Sequence, residues 1–211
     1  QLHQCVRLDF RLSEHGFRVM SNNSTEPLGF ADEHYIALGR MVVGFQSLEQ
    51  TITQSLLGLM HPHDLLGDYG FTRTVVNELS FADRLRLLSH FVETTPATHF
   101  VPEGTKHETV KLSELPEVME NLRLGLKLAS EAQADRNALT HSQWFENIFG
   151  GPPRTVLRMK FRAAPKKLQV THEYMEPRRI IALVEKMQEA SRLISGAVEH
   201  LIAFLRSQEM P

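Results

Sequence analysis

Cysteine is almost absent: 211 residues contain one, Cys5. A single thiol excludes an intramolecular disulfide framework and any CxxC motif, and it suits a reducing, cytoplasmic setting. Long hydrophobic runs are missing as well. None approaches the roughly 20 residues of a membrane-spanning helix, and the first residues lack the apolar stretch of a secretory leader. A start at Gln1 rather than Met fits a fragment or a processed chain. There is no GxGxxG, no Walker loop, no HExxH and no G-x-S-x-G elbow, so no cofactor or metal is implied by motif. Internal repeats, heptad seams and low-complexity tracts are also lacking. Charge of one sign is not in excess, with 23 basic against 25 acidic residues and a net −2, so the whole molecule is not a basic nucleic-acid binder.

What is present is ordinary globular composition, 42% hydrophobic and 23% charged. At roughly 100–200 residues per domain, this length gives one domain, or one with an appendage, and a sizeable core. The charge is unevenly spread. Arg154, Arg158, Lys160, Arg162, Lys166 and Lys167 fall within 154–167 with no acidic residue among them. The remaining 17 basic against 25 acidic side chains leave a net −8 elsewhere. Such a run is either a solvated face or a phosphate contact.

Residues 1–31 read as an arm or linker. Val6, Leu8, Phe10 and Leu12 alternate as in a short strand, and a polar stretch with Pro27 and Gly29 follows. The remaining 32–211 read as an all-α domain of four principal helices, with a small β-hairpin before the last. The first helix runs from Asp32, a plausible N-cap, to Met60, on a stripe of Leu38, Met41, Phe45, Leu48, Ile52, Leu56 and Leu59. Residues 61–70 read as a turn region. Ser80 with Asp83 resembles a capping box opening the second helix, whose buried face is Leu85, Leu88 and Val92. The third is expected over about 113–144, striped by Leu115, Val118, Leu122, Leu126, Ala129 and Ala132. Its small residues Ala129, Ser130, Ala132 and Ala134 permit close helix approach. Gly150 to Pro153 break the chain, and the period then falls from 3.6 to 2. Leu157, Met159 and Phe161 alternate with Arg158, Lys160 and Arg162, predicting a hairpin at about 155–174 with Phe161 on its apolar side. The last helix starts at Pro177 and ends near Ser207.

Two constellations carry possible chemistry. His61, His63 and Asp64 stand close enough to chelate a divalent ion, but lie in a Pro-containing turn with no further ligand to name, so a solvated turn is the expectation and no metal is assigned. His90, His99, His107, His172 and His200 show no ligand spacing. The second is Asp135-Arg136-Asn137-Ala138-Leu139-Thr140-His141-Ser142. Arg136 stands four residues after Ala132, beside the apolar stripe, where a charge is expensive unless it is paired. The structural explanation is a snorkelling side chain paired with Glu49 or Asp135, and a His141 that caps carbonyls at the helix end.

Arg136, the polar Asn137 and His141 together resemble the R-x4-6-H motif of the HEPN superfamily. The stretches Gly39 to Gln50, Leu79 to Leu85 and Arg136 to Trp144 are similar to segments of its bacterial members. The resemblance covers roughly 32–144 and the final helix by position. It implies an all-helical fold, a homodimer with motifs paired across it, and in many members a metal-independent endoribonuclease that needs no cofactor. Inactive members exist, because fold does not fix function.

The residue types suit that chemistry. Cleavage by the 2′-hydroxyl needs a group that moves a proton, a role open to His141. It also needs a cation on the phosphorane, and Arg136 can fork onto phosphate oxygens. Asn137 or Ser142 could orient phosphate or imidazole, Glu49 could position Arg136, and Arg158, Lys160 and Arg162 could contact RNA. On one straight helix Arg136 and His141 would point roughly 140° apart, so two chains would have to compose the site. The alternative is a non-catalytic dimeric module, bound to a cognate antitoxin or other partner protein, in which Arg136 and His141 are structural.

Overall fold

The computed structural model describes residues 32–62, 70–94, 115–145, 151–152, 154–164 and 167–207. The expected arm at 1–31 lies outside them, as do His63 and Asp64. Among the described residues the protein is mostly helical: α1 Asp32–Met60, α2 Gly70–Glu78, α3 Phe81–Thr94, α4 Pro116–Thr140 and α5 Pro177–Ser207. Three strands, β1 Gln143–Phe145, β2 Val156–Ala164 and β3 Lys167–Met175, form an antiparallel sheet in the order β1-β2-β3. The chain falls into two compact units, Ile36–Thr140 with Arg178–Pro211, and Gln1–Tyr35 with His141–Pro177.

The helical unit follows its apolar stripes. Met41, Phe45, Leu48, Ile52, Leu56 and Leu59 of α1 are all buried, as are Ile180, Leu183, Met187 and Ile194 of α5. Burial of such stripes supplies most of the stability that helix propensity does not. α3 opens as its capping residues require. The Ser80 hydroxyl accepts the Asp83 N–H at 3.2 Å and donates to the Asp83 carboxylate at 2.6 Å. α4 carries Leu122, Leu126, Ala129 and Ala132 inward, whereas Ser130 and Ala134 of the expected small-residue face are exposed. The close approach is made at Gly125, where a Cβ would stand 2.8 Å from Ile194 Cγ1 and 3.2 Å from the Ile194 backbone nitrogen.

Three expectations need correction. Gly70 does not end a turn region; it opens α2, a nine-residue helix anchored by buried Val76. The third principal helix stops at Thr140, and the Trp144 expected at its end lies in β1, opposite Arg158. The Thr140 hydroxyl bonds back to the Arg136 carbonyl at 3.0 Å, and Gln143 to Phe145 satisfy their backbone in the sheet instead. The hairpin is therefore a three-stranded sheet. Phe161 does stand on the apolar side with Leu157 and Met159, opposite Val170, and this end of that face is exposed.

In the sheet unit, Val156 and Leu157 are both buried, so the start of β2 is covered on its two faces. Gly151 lies so close to the Tyr174 ring that no Cβ would fit there. Arg154 turns the chain into β2 with a left-handed φ of 58°.

Candidate functional site

Arg136 occupies the step of the α4 stripe between buried Ala132 and buried Leu139 and is itself half-buried. Its guanidinium carbon lies 4.7 Å from the centroid of the Phe45 ring. Phe45 in turn packs against Phe81 with ring centroids 4.8 Å apart. Arg136 Nη1 donates to Asn137 Oδ1 at 3.1 Å. The guanidinium is thus held on an aromatic face, an arrangement worth ~0.5–2 kcal/mol that brings no opposing formal charge.

Neither carboxylate expected for Arg136 serves it. Glu49 Oε1 pairs with Arg84 Nη1 at 3.2 Å. Asp135 Oδ2 accepts from Lys186 Nζ at 2.9 Å, with Glu131 at 3.6 Å beside it. The hydrogen bond that Lys186 donates to Asp135 is the main reason the Lys186 pKa is raised above its ordinary value, against the opposing effect of partial burial. Among the described residues, Arg136 has no carboxylate partner. The placement of Glu49 as its support is corrected accordingly.

Arg84 is the charged residue that sequence reasoning missed. It is buried, and its guanidinium also donates to the Thr53 hydroxyl at 2.9 Å, the Leu79 carbonyl at 3.0 Å and the Asn77 carbonyl at 3.3 Å. Its signal was present, since it falls between Phe81 and Leu88 on the α3 stripe. His34 was missed too; it is fully buried at 0%, three residues before buried Ala37.

His141 follows the last residue of α4 and is exposed, and Ser142 beside it is half-buried. Because His141 stands beyond the helix, the 100° rotation per residue does not govern its direction, and the expected splay from Arg136 has no basis. Arg136 and Asn137 belong to the helical unit, His141 and Ser142 to the sheet unit.

The basic strand is partly neutralised. Arg158 Nη2 pairs with Glu173 Oε2 at 2.9 Å, directly across the β2–β3 ladder. Lys160 is half-buried opposite Thr171, and the Arg162 side chain lies outside the described residues. His61 Nε2 lies 3.0 Å from the Thr72 hydroxyl. Among the described residues no three His, Cys, Asp or Glu side chains gather in one place, and no helix is long and apolar enough to cross a membrane. Comparison with protein-family models, curated proteins and solved structures gives no match.

Proposed function

We propose that the chain is a HEPN-like, metal-independent endoribonuclease whose working groups are Arg136 and His141. The observation that carries this reading is Arg136. It is half-buried, stacked on Phe45, held by Asn137, and without a carboxylate partner among the described residues, while Glu49 and Asp135 are engaged elsewhere. A guanidinium fixed in this way is a phosphate receptor, and charge developing on a phosphorane is what it would stabilise. In the proposed reaction the 2′-oxygen bonds to phosphorus as its proton is removed. The P–O5′ bond breaks, and the departing oxygen takes up a proton. The products carry a 2′,3′-cyclic phosphate and a 5′-hydroxyl. His141, exposed on the turn after α4, moves one of those protons.

In the same reading α1, α3, α4 and α5 are the four principal helices of a bundle, the setting is cytoplasmic, and the chain is a homodimer. A groove of about 770 Å³ between α1 and α5 supports the dimer. Ile36 and Val43 on it are 53% and 65% exposed, and Arg40 and Glu185 both line it. A two-fold interface needs a self-complementary surface, and opposite charges around an apolar strip provide one.

The second reading is a non-catalytic dimeric module with an antitoxin or other protein partner. It is favoured by the Phe45 contact, which gives Arg136 a packing role without any substrate. One experiment separates the two: mixed-sequence RNA incubated with excess chelator and wild type, Arg136→Ala or His141→Ala protein. Cleavage by wild type, reduced ~10²–10³-fold by either substitution, is the expected outcome. No cleavage by any of the three folded proteins leaves the module.

A further inference from the structure

A second basic feature lies away from Arg136 and His141, in a groove of about 460 Å³ between α3 and α4. Its floor is Leu85 and Leu126, both largely buried. Arg123 and Lys127 stand on one wall, four residues apart on the same face of α4, and both are exposed. Arg86 faces them from α3. Like charges at this spacing repel one another. Two nearby acids are engaged, Asp83 at 3.3 Å from Arg86 and Glu131 at 3.6 Å from Lys186, and the exposed Glu120, one turn before Arg123, is not part of the groove lining. Glu93 is the carboxylate that lines the groove. Among the described residues, neither Arg123 nor Lys127 has an ion-pair partner, on a chain whose net charge is −2.

We infer that this groove binds single-stranded nucleic acid. Its cations and neutral donors, Ser89, Ser130 and Gln133, suit phosphate and sugar oxygens, and its apolar floor suits the face of an unstacked base. A duplex would present phosphates but keep its bases stacked inside, leaving that floor unused. The lining runs from Arg123 to Gln133, about 15 Å along the helix at ~1.5 Å per residue, which is longer than one nucleotide needs. The inference does not rest on the ribonuclease reading, since neither Arg136 nor His141 takes part.

The test is equilibrium binding of a fluorescent 12-nucleotide single-stranded DNA, which lacks the 2′-hydroxyl and cannot be cut by its attack. Its RNA counterpart, a duplex of the same length and a free nucleotide are used as competitors. Arg123→Glu and Lys127→Glu should each weaken binding at least tenfold, and each should flatten the salt dependence by ~0.7 in log–log slope, one phosphate contact's worth. Arg73→Glu, the same charge change at an exposed position of α2, should weaken binding far less. Unchanged thermal melting confirms that each variant is folded. Equal weakening by all three variants, no effect of any, or no binding by wild type at low salt overturns the inference. Competition by duplex or free nucleotide as strong as by single strand overturns it as well. Loss of RNA cleavage with intact DNA binding would remove the nuclease reading and leave this one standing.

Discussion

Arg84 and Arg136 are both arginines set against buried stripes, and the protein accommodates them differently. Arg84 is surrounded by acceptors from three segments: Glu49 and Thr53 of α1, and the carbonyls of Asn77 and Leu79. Removing such a group strands its partners, so Arg84→Ala should destabilise by ~3–5 kcal/mol in urea titration. Arg136 lies on a ring, and Arg136→Ala should lose only ~1 kcal/mol while slowing any RNA cleavage ~10²–10³-fold. Arg136→Lys should keep the stability but lose the forked phosphate contact. Lys186 provides a pH test. A lysine whose pKa is raised on folding adds stability that is complete below the ordinary value of 10.5 and is lost as pH rises through the raised value. Lys186→Met should therefore flatten the alkaline fall in urea midpoint, by less than about 1 kcal/mol because the pair is partly exposed. The sequence placed Glu49 and Arg136 both beside stripes but gave no means to decide between two arginines competing for one acid. That choice depends on which helices meet.

At the scale of elements, long helices with capping residues were legible. α1 and α5 run over the residues their caps and stripes indicate, and α3 begins directly after its capping serine. α2 was not legible, because nine residues are too few for helicity on propensity alone and a single buried Val76 anchors them. The end of α4 was missed for the opposite reason. Its local pattern continues as a helix to Trp144, but pairing with β2 takes the chain from 143 onwards. Strand pairing is long-range, and a helical period over the preceding turns carries no trace of it. Gly125 shows how packing can reverse a propensity. In an isolated helix Gly→Ala gains ~1 kcal/mol. Here the added methyl meets both the Ile194 side chain and its backbone, and backbone cannot rotate away. Gly125→Ala is expected to destabilise by ~1–3 kcal/mol in urea titration, as overpacking does. A neutral or raised midpoint would show that α4 and α5 can separate slightly without loss.

For the molecule as a whole, the open matter is whether one chain suffices for the site. Phe45, on which Arg136 lies, is two residues from Val43 on α1, and Val43 is part of the exposed strip proposed to meet a second copy. Two residues are ~200° apart on a helix, so exposed Val43 and buried Phe45 face opposite ways, and a partner docked on that strip would reach the guanidinium only with a segment that passes around α1. In the composite reading that segment is the partner's turn after α4, which carries the imidazole. Sedimentation should show a dimer, and Val43→Glu, a change at an exposed position that should move stability by less than about 0.5 kcal/mol, should give a folded monomer. If Arg136 works with the histidine of the other chain, that monomer cuts no RNA. Mixing is the sharper test, because Arg136→Ala and His141→Ala chains are each inactive alone. In a two-fold dimer with composite sites, half of the randomly mixed dimers are heterodimers and each keeps one intact site of two, so about a quarter of wild-type cleavage should return. A site contained in one chain predicts no recovery, because every chain then lacks one of its two groups. The same zero would follow if the two chains failed to exchange subunits. Mixing under mild denaturation and confirming heterodimers by mass removes that ambiguity and leaves the recovered rate to decide whether the dimer forms the site.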